Sequence, residues 1–307
     1  MKLAFEEIVD INAFGRENTR KLNEFLPLAA STKISSAADD RHKVLLVVID
    51  LQVDFMDDGA LPVPGAYEDV KRLTRWMYQN LSGITKIAVS LDTHVPHQIF
   101  HPCWWVDEKG INPPPYTVIT LEDLDKGRWK AVFNPDESRE YLIGLKEYGR
   151  LDLIIWPYHC IQGTKGAALE AQFANMLYAH EAARKSVPIH LVKGTDPLSE
   201  MYGIIKPEFD RNNLANLSFL NLFEEYDQIV VAGQAKTHCV LRSVQQFFEH
   251  YRGRQDVLKK FFILEDCMSP IPGFDVDEEF ARFEDDYKVK IVKSTEFGLW
   301  QKNTGAY

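Results

Sequence analysis

The sequence predicts an α/β fold: a doubly wound parallel sheet with helices on both faces. Three observations lead there. Short runs of β-branched and aliphatic residues recur along the chain without polar alternation, as strands buried on both faces require. Amphipathic helical patterns lie between several of them. The chain has 307 residues and 45% hydrophobic content, enough to enclose a large core.

Taken in order, residues 1–43 are polar and mixed, with a short helix predicted near residues 18–25 followed by a Ser/Ala/Asp-rich stretch. They read as an N-terminal extension, packed on or trailing from a main domain spanning 44–307. The first strand is predicted over 43–50, Lys-Val-Leu-Leu-Val-Val-Ile-Asp. Further strands are predicted over 86–91, 151–156, 188–192, 228–232, 261–264 and 288–292. Helices are predicted over 67–81, 166–185, 237–251 and 278–286. Residues 102–150, with Trp104, Trp105 and the Pro113-Pro114-Pro115 run, show no regular period and are predicted to be an insertion over one end of the sheet. The two tryptophans suit either a lid or packing anchors.

Composition narrows the function. The 35 basic and 45 acidic residues give a net charge of −10 with no basic block, which argues against a nucleic-acid surface. No apolar run nears the roughly 20 residues that span a bilayer, and the N-terminus lacks a signal core, so no membrane role and a cytoplasmic location are expected. Four cysteines without a CxxC pair suggest reduced thiols.

Open α/β sheets bind ligands at the carboxyl ends of their strands. Asp50, Asp92, His159 and Lys193 follow successive predicted strands there, and Cys239 opens a predicted helix after the next. A helix N-terminus favours thiolate over thiol, so Cys239 is a candidate nucleophile and the neighbouring amides are candidate oxyanion donors. A buried structural cysteine is the competing reading. His238, adjacent in sequence, is expected to point elsewhere and not to act as base. Cys160 is expected to be buried and inert, and Phe247, Phe248 and Tyr251 to form the packed face of the helix.

The motifs together resemble the nicotinamidase and isochorismatase superfamily of cysteine hydrolases, and most closely its metal-containing nicotinamidases. The resemblance covers residues 44–292. It rests on Val48-Ile49-Asp50-Leu51-Gln52-Val53-Asp54-Phe55 with Gly59-Ala60-Leu61, on Leu91-Asp92-Thr93-His94, on residues 156–164 (Trp-Pro-Tyr-His-Cys-Ile-Gln-Gly-Thr), on Lys193-Gly194, and on Gly233-Gln234-Ala235-Lys236-Thr237-His238-Cys239-Val240. It implies the isochorismatase-like hydrolase fold and a catalytic trio of Asp50, Lys193 and Cys239. It also implies a cis peptide at Gln234–Ala235 beside the oxyanion site, and a substrate pocket of Phe55, Trp156 and Tyr202. The metal set it implies is Asp92, His94 and His159, holding a divalent ion, zinc above iron or manganese; His97 and His101 are both candidates for a further ligand, and a loop whose histidines contact solvent is the competing reading.

The expected reaction is hydrolysis of a small aromatic amide such as nicotinamide to acid and ammonia through a thioester, in a homo-oligomer. The alternatives are a metal-independent hydrolase of an isochorismate-like or ureido substrate, and a catalytically silent binding protein. The extension and the insertion exceed what a compact nicotinamidase needs.

Overall fold

The computed structural model describes residues 3–16, 22–147, 152–211 and 215–299. Strand β1 (Val44–Ile49) is buried along its whole length. Its alternating side chains divide between two cores: Val44, Leu46 and Val48 enter one, Leu45, Val47 and Ile49 the other. A strand with period two and helices on both sides produces this division.

Five strands join it: β2 (Lys86–Asp92), β3 (Ile189–Lys193), β4 (Gln228–Gly233), β5 (Phe261–Leu264) and β6 (Lys290–Val292). The order is β6-β5-β4-β1-β2-β3 and every pairing is parallel. The chain winds outward from β1 to β3, returns to place β4 on the other side of β1, and continues to β6. The strand order therefore reverses between β1 and β4, where doubly wound sheets open a crevice.

On the first face lie α1 (Leu22–Ala30), α2 (Ala66–Gln79), α3 (Pro135–Glu147) and α4 (Ala171–Arg184), which bury Phe25, Trp76, Tyr141 and Phe173 among others. On the second lie α5 (Leu241–His250) and α6 (Asp277–Tyr287), contributing Phe247, Phe248, Phe280 and Phe283. Helix α4 is capped by Glu170, whose Oε2 accepts from the amides of Gln172 and Phe173 while its Oε1 accepts from Gly15. That carboxylate satisfies exposed helix donors and ties the N-terminal segment down. Leu3, Phe5, Ile8 and Val9 of that segment are buried in the first core. The predicted helix at 18–25 is found from Leu22 onward; positions 18–21 lie outside the described residues.

One predicted strand has a different place. Of residues 151–156, Leu153–Ile154 forms a short antiparallel pair with Val118–Ile119 and is no part of the parallel sheet; Leu151 lies outside the described residues. The run is apolar because it is buried, with Ile155 and Trp156 at 0% and 2% exposure. Its backbone is satisfied by the insertion instead: the Ile155 amide donates to Thr117 and that of Trp156 to Phe100. Trp104 and Trp105 are packing anchors, each buried, with indole N–H groups donating to Ser138 Oγ and the Ile99 carbonyl. No described helix is long and apolar enough to cross a membrane.

Gly233 closes β4 opposite Ile49 with φ 128°, and a Cβ there would lie 2.1 Å from the Ile49 carbonyl oxygen. Neither the dihedral nor the space suits a side chain. Gly233→Ala is expected to lower stability by at least roughly 2 kcal/mol in urea unfolding; an unchanged midpoint would contradict this packing of β4 on β1.

Candidate active site

Strands β1, β2 and β3 are neighbours, so their carboxyl ends bring Asp50, Asp92 and Lys193 together. Asp92 and Lys193 stand in register across the β2–β3 pair. The Lys193 ammonium lies 2.9 Å from Asp50 Oδ2 and 2.9 Å from Asp92 Oδ1, donates to the Met201 carbonyl at 2.9 Å, and is 3.7 Å from Cys239 Sγ. Reactive atoms of Asp50, Asp92 and Cys239 all lie within 4.8 Å of one another. These four side chains are buried.

Local structure holds each in place. Asp50 leaves β1 with φ 44°, and its carboxylate accepts from Ser90 Oγ at 2.6 Å. The Gln52 side chain bridges to β2, accepting from the Asp92 amide and donating to the Asp92 carbonyl. Gly194 has φ 73°, and a Cβ there would sit 2.6 Å from both Asp92 Oδ1 and His94 Cε1. Only glycine lets the backbone after Lys193 approach that closely.

Cys239 lies in a widened turn, Lys236–Val240, that leads into α5. Burial pushes its thiol well above the ordinary range, and the pull of Lys193 does not overcome burial together with Asp50 and Asp92. Desolvation of a buried anion thus outweighs the favourable field expected of a helix start and shifts Cys239 toward the thiol. Burial also raises Asp50, against the pull of Lys193. A carboxylate with increased proton affinity beside a protonated thiol is suited to receive the thiol proton. Burial opposes the Lys193 charge, but Asp50 and Asp92 outweigh it and keep the ammonium protonated.

The peptide bond Gln234–Ala235 is cis. Ala235 lines the chamber beside Cys239, whereas the Gln234 side chain faces away, donating to Asp69 Oδ2 at 2.7 Å and accepting from the Ser269 amide. Phe55, Trp156 and Tyr202 line the same chamber, and the Trp156 indole donates to Tyr202 Oη at 3.0 Å.

His159 does not come from a strand of the main sheet. Its loop is joined to the end of β2 by the parallel bridge His94–Ile161, and to the turn after β1 by the Cys160 amide, which donates to Asp54 Oδ2 at 2.7 Å. His94 Nε2 is 2.9 Å, and His159 Nε2 3.6 Å, from Asp92 Oδ2. The other ring nitrogens face carbonyls: His94 Nδ1 that of Gly194, His159 Nδ1 that of Pro157. A carbonyl only accepts, so each Nδ1 carries the hydrogen, and each Nε2 facing Asp92 either offers a lone pair to a cation held with the carboxylate or takes up a proton, which Asp92 favours at His94. Acceptors converging on a carboxylate repel one another unless a cation or an extra proton lies between them. The donor set Asp92, His94 and His159 thus fits a divalent transition metal.

His101 shares the pattern. It is buried, its Nδ1 faces the Val95 and Pro96 carbonyls, and its Nε2 has no partner among the described residues. Its ring centre is 5.9 Å from that of His94 and 6.1 Å from that of His159. His97 is exposed and packs on Phe133 instead. Spacing alone does not distinguish these two histidines; their backbone acceptors do.

Two lining residues carry no sequence signal that marks them as part of the site. His238 lines the chamber with Cys239, because the widened turn brings consecutive side chains to one side. Its Nδ1 meets Thr237 Oγ1, and burial lowers its pKa to about 4, so it stays neutral. Glu200, seven positions after Lys193, belongs to no motif. Its carboxyl lies near Asp92 and His94, and burial raises its pKa to about 7.

Fold and site define a class: a doubly wound α/β protein with a thiol, two carboxylates and an ammonium gathered where the strand order reverses. Comparison with solved structures gives that fold its particular form, the isochorismatase-like one. The yeast nicotinamidase Pnc1p bound to the inhibitor nicotinaldehyde aligns with a TM-score of 0.56 at 18% identity, covering 81% of this chain and 99% of that one. A nicotinamidase/pyrazinamidase from Acinetobacter baumanii gives 0.55 at 18% identity over 84% and 99%. PnC1 from L. infantum in complex with nicotinate gives 0.50 at 18% over 85% and 96%. No protein-family model matches the sequence, and a search of curated proteins finds no match.

The metal reading is tested by chelator-treated protein titrated separately with Zn²⁺, Mn²⁺ and Fe²⁺. At least one ion is expected to bind stoichiometrically in equilibrium dialysis and to raise the melting temperature. Asp92→Asn and His159→Ala should abolish both effects, and His97→Ala should preserve them. Absence of binding by all three ions would contradict the assignment.

Proposed function

We propose that the protein is a cysteine-dependent amidohydrolase that converts a small amide, with nicotinamide as the reference compound, to its acid and ammonia. The observation that carries this reading is the buried Lys193 ammonium within 2.9 Å of Asp50 and 3.7 Å of Cys239, beside the small chamber that Cys239 lines. The fold shared with nicotinamidase structures supports it.

In the proposed reaction Asp50 takes the Cys239 proton as sulfur attacks the amide carbonyl carbon. The tetrahedral oxyanion is held by the backbone at Ala235 and Cys239. Asp50 returns the proton to the amide nitrogen, the C–N bond breaks, and ammonia leaves a thioester on Cys239. Asp50 next removes a proton from water, whose oxygen attacks the thioester carbonyl. The C–S bond breaks, the acid departs and the sulfur regains the proton. Lys193 remains protonated throughout and offsets the charge on Asp50. Asp92, His94 and His159, with His101 behind them, would hold a divalent ion, which when bound supplies a Lewis-acidic centre and ordered water next to the reacting carbonyl. Phe55, Trp156 and Tyr202 border the reacting carboxamide.

The experiment is ammonia release measured over nicotinamide, pyrazinamide and aliphatic primary amides, with ureido compounds as a separate set. Turnover of at least one amide is expected, and Cys239→Ala should reduce it by roughly 10³-fold or more, as loss of a nucleophile does, while leaving the unfolding midpoint near that of the parent protein. Turnover confined to ureido compounds would favour the ureido-group hydrolase alternative, and an active Cys239→Ala protein would overturn the mechanism.

A further inference from the structure

The chamber around Cys239 has a volume of only about 20 Å³, room for roughly one water molecule. A substrate larger than its reacting carboxamide must extend elsewhere. A second cavity of about 660 Å³ adjoins it and shares Glu200, Tyr202 and His238 as common lining. That volume lies within the range of roughly 300–1,000 Å³ usual for small-molecule sites.

The wall of this outer cleft is acidic. Glu208, Glu249, Asp275, Glu279 and Asp286 line it together with Glu200. The lining guanidiniums among the described residues, Arg242 and Arg282, are engaged by carboxylates, Arg242 with Glu208 at 2.8 Å and Arg282 with Glu278 at 3.4 Å. In a chain of net charge −10, surface carboxylates alone identify nothing. Glu200 is different. It is 5% exposed and stands at the junction of the two cavities, and its Oε2 has no hydrogen-bond partner among the described residues. Its Oε1 accepts from the Met201 amide. A carboxylate oxygen withdrawn from water and left without a donor is costly unless a ligand supplies one. Aromatic rings stand beside it where the two cavities share lining: His238 packs against Trp156, Tyr202 and Phe274 at centroid distances of 5.1, 5.3 and 4.6 Å.

We infer that the substrate is an amide whose acyl group carries a cationic or strongly hydrogen-donating substituent, received first by Glu200 and then by the acidic cleft. A cleft lined by one sign of charge concentrates ligands of the opposite sign and repels those of its own. Cleavage leaves a carboxylate on the acyl product, which this wall does not attract, so the cleft favours entry of the amide over retention of the acid. This inference rests on the amidohydrolase reading for its chemistry, but its binding preference can be measured separately.

The test uses the Cys239→Ala protein, with Cys239→Ser as a second background, and calorimetric binding of three chain-matched amides: 6-aminohexanamide (cationic), hexanamide (neutral) and 6-amino-6-oxohexanoic acid (anionic). The cation is expected to bind at least tenfold more tightly than hexanamide, and the anion most weakly. Glu279→Gln combined with Asp286→Asn should reduce the ratio of 6-aminohexanamide to hexanamide affinity at least threefold, and Glu200→Gln should reduce it further. Equal affinities, an undiminished preference in these variants, or no binding of any of the three would overturn the inference. Turnover by the parent protein is recorded in parallel. Cation-selective binding without ammonia release would reject the amidase reading and retain the cleft, whereas turnover without charge preference would do the reverse.

Discussion

The interior of the site is organised around one buried ammonium. Lys193 stands between Asp50 and Asp92 at 2.9 Å from each, and all three are withdrawn from the water that would otherwise stabilise their charges. Removing one member of such a set leaves an uncompensated buried charge, a loss of about 3–5 kcal/mol. The cluster therefore constrains the fold as much as the chemistry: β1, β2 and β3 must end level with one another, and Gly194 must press against Asp92 and His94. The protonated thiol of Cys239 and the raised carboxyl of Asp50 follow from the same burial.

The sheet order explains how the nucleophile reaches this cluster. Because β4 lies on the side of β1 away from β2, the turn after β4 opens over the crevice at the reversal point, and Cys239 faces Lys193 across the end of β1. The anchoring of Gln234 on Asp69 fixes the start of that turn. Its widened geometry then directs both His238 and Cys239 into the chamber. The loop carrying His159 comes from the insertion side and is held by Asp54 and by the bridge to His94.

Sequence is most legible where burial is two-sided. The run Val44–Ile49 and the segments that form β2, β4 and β5 are unbroken aliphatic stretches, and the ends of the strand-like runs locate Asp50, Asp92 and Lys193 from residue pattern alone. The apolar run around Leu153–Ile154 looks the same because burial, not sheet membership, sets hydrophobicity; its partner strand is an unpatterned pair in the insertion. The choice between His97 and His101 depends on carbonyls that accept from Nδ1, a backbone property without a residue signature. Glu200 escapes pattern reading because it belongs to no motif, and His238 because ordinary helical geometry would turn it away from Cys239. The protonated state of Cys239 depends on desolvation, which no local pattern reports.

The proposed reaction passes through an acyl group on sulfur, and that intermediate is the most direct object of measurement. Intact-mass and peptide mass spectrometry of protein acid-quenched during turnover of a slowly hydrolysed amide should find the acyl group on the peptide containing Cys239, at the mass of the amide less ammonia. Loss of the adduct with hydroxylamine would mark it as a thioester. Ammonia release with no acyl group on Cys239 under rapid quench, or an adduct on another residue, would contradict the account.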